Sequence, residues 1–199
     1  MRKAWLGGLL VAALALPAVA KDTPSAGKGF WKILVKPKAK WVLHQTIGDD
    51  KKGTITIETY DVRKIDGADV ARLRWTMVSG DGKYKSEAAT SGSQTPTQVA
   101  VTDKGIYLLT ADMDDAKVSK ALKGKPSRSD PPKAYKGTKK NNGRFLTVSG
   151  DVVCMGEEPL PDAGECADIC EGEICYSATD GVISMTGTLA PDHYNWEQK

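Results

Sequence analysis

From Val70 to Val78 the chain divides cleanly, with Ala71, Leu73, Trp75 and Met77 on one side and Arg72, Arg74 and Thr76 on the other. Successive side chains of a strand point to opposite faces. Such alternation therefore predicts a strand with one face on a core and the other in water. Few other patterns restrict a fold so tightly, because a one-residue slip would turn every apolar side chain to solvent.

The same signature recurs between turn-forming clusters. Trp41–Ile47 precedes the polar run 48–53, and the β-branched stretch from Thr54 to about Ile65 ends at Asp66-Gly67, a dipeptide suited to a tight hairpin. Residues 79–82 turn the chain into a weaker strand near Tyr84–Thr90. Thr97–Val101 and Ile106–Thr110 flank the turn 102–105, and strands resume over Phe145–Met155 with a break near Gly150. Cys175–Thr179 and Val182–Thr188 are joined by Asp180-Gly181, another hairpin signal. One helix is expected at about 114–123: acids lie at its start, Val118, Ala121 and Leu122 form its stripe, and Gly124 and Pro126 stop it. Residues 125–143 read as a long polar loop. Sequential hairpins of this kind predict a mainly β fold, an antiparallel meander curled into a half-barrel or barrel with one short helix. Tight polar turns between so many strands argue against a parallel α/β sheet.

The first twenty residues read as an export signal. Arg2 and Lys3 precede an apolar or Gly run from Ala4 to Leu16, and Ala18-Val19-Ala20 supplies the small residues a signal peptidase needs. The run is short for a spanning helix, and no second one follows. The expected organisation is therefore a cleaved signal at 1–20, a flexible leader at 21–30, one β-rich domain at 31–190 and a tail at 191–199. Export is expected to end in a Gram-negative periplasm, or at the cell surface or outside the cell.

Without Arg2 and Lys3 the chain has 26 basic residues against 25 acidic ones, so its near-neutral total conceals a split. Residues 117–144 hold ten basic residues and one acid, Asp130, whereas residues 151–173 hold eight acids and no base. Either these segments neutralise one another across the surface, or the basic one meets a polyanion. The lysines that would make such contacts are Lys117, Lys120, Lys123, Lys125, Lys136, Lys139 and Lys140. Tyr135 and Phe145 are the only aromatics nearby, too few for base stacking, so nucleic acid is not the expected partner.

All four cysteines, Cys154, Cys166, Cys170 and Cys175, fall within the acidic segment 154–175. In an exported chain an even, clustered set reads as two disulfides. Pairing Cys154 with Cys175 and Cys166 with Cys170 would staple the base of a loop and is preferred. The overlapping pairing of Cys154 with Cys170 and Cys166 with Cys175 stays open. Zinc fits poorly, because the spacing holds no Cys-x-x-Cys pair, and the acidic residues match no EF-hand loop.

Catalytic motifs are missing from the sequence: it has no Gly-x-Ser-x-Gly elbow, no His-Glu-x-x-His and no phosphate-binding loop. The two histidines are His44, on the polar face of the first strand, and His193 near the end. The expectation is a non-enzymatic protein with no cofactor; a hydrolase using His44 or a carboxylate pair such as Asp114-Asp115 or Glu157-Glu158 is the alternative.

The stretch Ile33-Leu-Val-Lys-Pro-Lys-Ala-Lys-Trp41-Val-Leu, with Thr54-Ile-Thr-Ile-Glu, Val70-Ala-Arg-Leu-Arg-Trp75 and Gly105-Ile-Tyr-Leu-Leu109, resembles the opening of uncharacterised exported bacterial envelope proteins. It is similar to the curved antiparallel sheet of the LolA-like lipoprotein carriers. Lys38-Ala39-Lys40 replaces the Gly usual before the Trp, and the cysteine segment has no place in that pattern. The resemblance implies a concave face for an apolar ligand and carries over no catalytic residues. A carrier of an apolar or amphipathic ligand is the first expectation, with Trp41, Leu43, Leu73, Trp75 and Met77 as the residues that would line its face, although core packing is the default for Trp41 and Trp75. The second expectation is an envelope interaction protein that docks a partner through its cysteine-stapled acidic loop or its basic segment.

Overall fold

Asp66 and Gly67 both have positive φ, 48° and 82°, the conformation that a two-residue type I′ hairpin demands. They join the two longest strands of a computed structural model that describes residues 26–47, 53–80, 82, 85–87, 96–138, 140, 143–157, 169–189 and 192–198. For residues 47, 85–87, 169–171, 187–189 and 192–194 it describes the backbone alone. The expected export signal at 1–20 lies outside the described residues.

The elements in order are a 3₁₀ helix (Phe30–Val35), β1 (Lys40–Ile47), β2 (Thr54–Ile65), β3 (Ala68–Val78), β4 (Lys85–Glu87), β5 (Gln98–Val101) and β6 (Gly105–Leu109). There follow α1 (Asp115–Leu122), β7 (Arg128–Ser129), β8 (Arg144–Ser149), β9 (Val152–Glu157), β10 (Ile169–Ser177), β11 (Gly181–Leu189) and β12 (Asp192–Glu197). The twelve strands of the described residues belong to one sheet, in which the pairing is antiparallel throughout. The fold is therefore mainly β, a curled half-barrel with one α-helix, as the alternation and turn chemistry predict.

The order β7-β6-β5-β3-β2-β1-β12-β11-β10-β9-β8, with β4 beside β3, consists of two meanders. The chain runs from β1 out to one edge at β7, crosses to the other edge at β8, and returns through the second meander to end beside β1. The crossing segment links the edges. Arg128 and Ser129 pair with β6, and Tyr135 exchanges both backbone hydrogen bonds with Leu146 of β8 at 2.8 and 2.9 Å. Such a strap covers strand edges that would otherwise present unpaired backbone groups.

Two apolar clusters hold the sheet. On the outer face Val118 of α1 packs with Ile65, Ala68, Val70, Ala100, Tyr107 and Leu109. Asp114 caps this helix, its carboxylate accepting from the Lys117 amide at 2.8 Å. The larger cluster lies on the inner face and joins both meanders. At its centre is the 3₁₀ helix, which buries Phe30, Trp31, Leu34 and Val35.

Three segments differ from the sequence reading. Residues 26–30, expected in a flexible leader, bury Ala26 and Phe30, and the Gly29 amide donates to Asp130 at 2.7 Å. Residues 191–199, expected as a tail, contain β12, which lies between β1 and β11 and buries Trp196. Residues 125–143 are no plain loop, since they carry β7 and the Tyr135 bridge.

Candidate functional site

The inner face settles where the expected ligand-lining residues sit. Trp41, Leu43, Leu73 and Trp75 are between 0 and 6% exposed and belong to the same cluster as Phe30, Trp31 and Leu34. The Trp75 indole donates to the Pro96 carbonyl at 2.9 Å, as a buried Trp N–H requires. Trp31, fully buried, donates to the Ser129 carbonyl at 2.9 Å and meets Phe30 and Tyr176 edge-on. Among the described residues the 3₁₀ helix thus packs onto the inner face where an apolar ligand was expected. Met77, at 39% exposed, is the member of the five that stays open to solvent. Sequence reasoning missed the plug, although Phe30-Trp31-x-x-Leu34-Val35 carries apolar residues at helical spacing.

The strap that clasps the plug is polar. Arg128 lies over the Tyr135 ring at 5.5 Å, and the Asp130 carboxylate holds the plug's leading amide. Burial pushes the Tyr176 hydroxyl far above its usual range, and the nearby Arg128 charge only partly offsets this.

The outer face is charged. Lys40 pairs there with Glu58, and Arg63 with both Asp61 and Asp115, whereas the exposed Lys64–Asp69 pair lies on the opposite side of the sheet, in register with Val101. Arg72 reaches Asp61 at 3.5 Å, and Arg74 stacks over Tyr60. Against this paired region the helix and strap contrast. Lys117, Lys120, Lys123, Lys125, Lys136 and Lys140 are exposed, as are Lys104 and Lys133, and among the described residues none of these eight makes an ion pair. Lys139 lies outside the described residues. In α1 the stripe Val118–Leu122 turns to the sheet, so Lys117, Lys120 and Lys123 project the other way. Only one described pair, Arg144 with Glu157 at 2.8 Å, joins the basic segment to the acidic one.

The described parts of the cysteine segment, 154–157 and 169–175, are strand. Cys154 and Cys175 are directly opposite one another on β9 and β10 and form a disulfide. Cys166 lies outside the described residues and Cys170, on β10, is described in backbone only. The Glu173 carboxylate is 3.5 Å from the Cys175 sulfur, and burial raises its carboxyl above the usual range. Glu173 with Cys154 and Cys175 has metal-like proximity, but both sulfurs are committed to the disulfide.

The carboxylate pairs have structural partners. Asp114 caps α1, Asp115 binds Arg63 and Glu157 binds Arg144, whereas Glu158 lies outside the described residues. His44 is half-buried in a polar cleft of about 360 Å³ with Lys40, Trp41, Val42, Asp180 and Gln198. The side chain of His193 lies outside those described. No helix among the described residues is long and apolar enough to cross a membrane. Compared with known proteins, the chain matches no family model, no curated protein and no solved structure.

Proposed function

We propose that this is an exported, non-enzymatic envelope protein that docks onto an anionic lipid surface through the lysines of α1 and the strap that follows it. The observation that carries the reading is the contrast between apolar inner-face side chains buried in the core and eight exposed lysines between positions 104 and 140 that make no ion pair among the described residues, Lys117 alone feeling a nearby carboxylate, Asp112. A carrier of apolar ligands needs an open concavity lined by apolar side chains. Here those side chains are spent on the core.

The chemistry of the cations favours a fluid headgroup layer over a sequence of bases. The basic segment's two arginines are engaged, Arg128 over Tyr135 and Arg144 with Glu157. What remains free is lysine, a compact hydrated charge without the planar fork that reads a fixed phosphate geometry. Each lysine near an anionic bilayer contributes about 1 kcal/mol, screened by salt. A short helix held rigidly on the sheet presents three of them in one direction.

Flotation of the protein with vesicles of phosphatidylglycerol in phosphatidylcholine tests the reading. Replacing Lys117, Lys120 and Lys123 together with Gln is expected to weaken binding on the order of a hundredfold. The same change at Lys32, Lys36 and Lys40, outside the segment, should cost far less. Salt-insensitive binding, equal losses in both triples, or a preference for a sulfated polysaccharide over the vesicles would overturn it.

A further inference from the structure

A second site lies on the other half of the sheet, and it stands apart from the lysine surface. We infer that Cys154, Cys175 and Glu173 form a thiol–disulfide exchange site, in which an external dithiol attacks Cys154 and Glu173 supplies the proton to the departing Cys175.

Three observations assemble it. First, the two residues differ in exposure: Cys175 is 7% exposed whereas Cys154 is half-buried and more open, which makes Cys154 the side for an incoming thiolate. Second, the Glu173 carboxyl lies 3.5 Å from the sulfur that would leave, two positions away on the same face of β10. Third, the sulfurs do not depend on their bond to stay together. The β9–β10 ladder runs in unbroken register from Gly172↔Glu157 to Ser177↔Val152, and β8 and β11 flank it. Opening the disulfide therefore leaves the two thiols facing one another, ready to close again.

The exchange balances in two steps. A thiolate attacks the Cys154 sulfur, the Cys154–Cys175 bond breaks, and its electron pair goes to Cys175, which takes the proton from the Glu173 carboxyl. The second thiolate of the dithiol then attacks the external sulfur of the mixed disulfide. That step releases Cys154 as a thiolate and leaves the external dithiol oxidised by two electrons. On reoxidation the Glu173 carboxylate takes the Cys175 proton back. Residues facing Glu173 from the neighbouring strands are Gly156 and Thr186, which do not titrate. Farther out, the register row through Cys154, Cys175 and Ser184 continues to Glu197 and His44. The raised carboxyl of Glu173 keeps its acid form available at higher pH than an exposed glutamate would.

The test compares wild-type protein with Glu173→Gln in the folded state, with far-UV circular dichroism recorded throughout. Rates of disulfide opening by tris(carboxyethyl)phosphine are measured across the acid-to-neutral range. The wild-type to variant ratio cancels the reagent's own titration. The ratio should exceed one at low pH and fall by roughly tenfold as Glu173 ionises, because the carboxylate then lacks the proton and repels the leaving thiolate. In a parallel incubation with reduced glutathione, peptide mapping should find the mixed disulfide on Cys154. A ratio that does not change with pH, an adduct on Cys175, or opening that occurs only once the dichroism is lost would each overturn the assignment.

Discussion

Trp31 joins the plug to everything around it. Its ring meets Phe30 at 4.9 Å and Tyr176 at 5.8 Å, and its N–H is the plug's link to the strap carbonyl of Ser129. Truncating so large a buried side chain leaves a cavity that the sheet cannot close, so Trp31→Ala should destabilise the protein by about 3–5 kcal/mol. Trp31→Phe retains most of the ring but orphans the Ser129 carbonyl, and should cost about 1–3 kcal/mol. Urea unfolding followed by circular dichroism measures both, and an unchanged midpoint for Trp31→Ala would mean that the plug is not part of the core. At this scale the strand residues were the legible ones. Trp41, Leu43, Leu73 and Trp75 announce an inner face by alternation, but alternation does not say what will cover that face. The answer lies in a six-residue segment with too few turns to register as a helix on its own. Gly181 illustrates the same limit: its φ of 76° is readable from the Asp-Gly turn, whereas the Trp41 indole packed where a Cβ would stand is not.

Among the elements, β12 most changes the account of the chain. It lies between the first strand of one meander and the last hairpin of the other, with Gln45 and Met185 both in register with Trp196. Without it the two meanders lose their shared seam. A chain ending at residue 190 should therefore fail to show the cooperative unfolding and dispersed amide resonances of the full chain. Native-like dispersion in that truncation would show that the seam is dispensable. The strand was not legible because Asp192-His-Tyr-Asn-Trp-Glu is short, polar and terminal. Its conformation is set by partners more than a hundred residues away, such as His44 for Glu197. By contrast, α1 was legible nearly to the residue, since its cap, its stripe and its stop are all local. The disulfide falls between these cases. Spacing left two pairings open, and only the register of β9 against β10 brings Cys154 to Cys175.

Taken whole, the molecule is two antiparallel meanders joined at β1 and β12, strapped across their free edges and filled by their own N-terminal 3₁₀ helix. This arrangement moves the chemistry outward. Most described side chains of the inner face are buried, and the outer face carries a paired charge network, the lysines of α1 and the Cys154–Cys175–Glu173 group. The split of charge along the sequence foreshadows that separation, but counting charges could not tell mutual neutralisation from exposure; the absence of ion pairs at the described helix and strap lysines bears on that choice. Native mass spectrometry of the protein, purified without detergent from its host cell, tests most directly whether the inner face is a core or a cavity. The expected result is the mass of the polypeptide, with Cys154 and Cys175 joined and no lipid adduct. A stoichiometric lipid adduct that is released only on unfolding would contradict it, and would return the inner face to the role of a binding cavity.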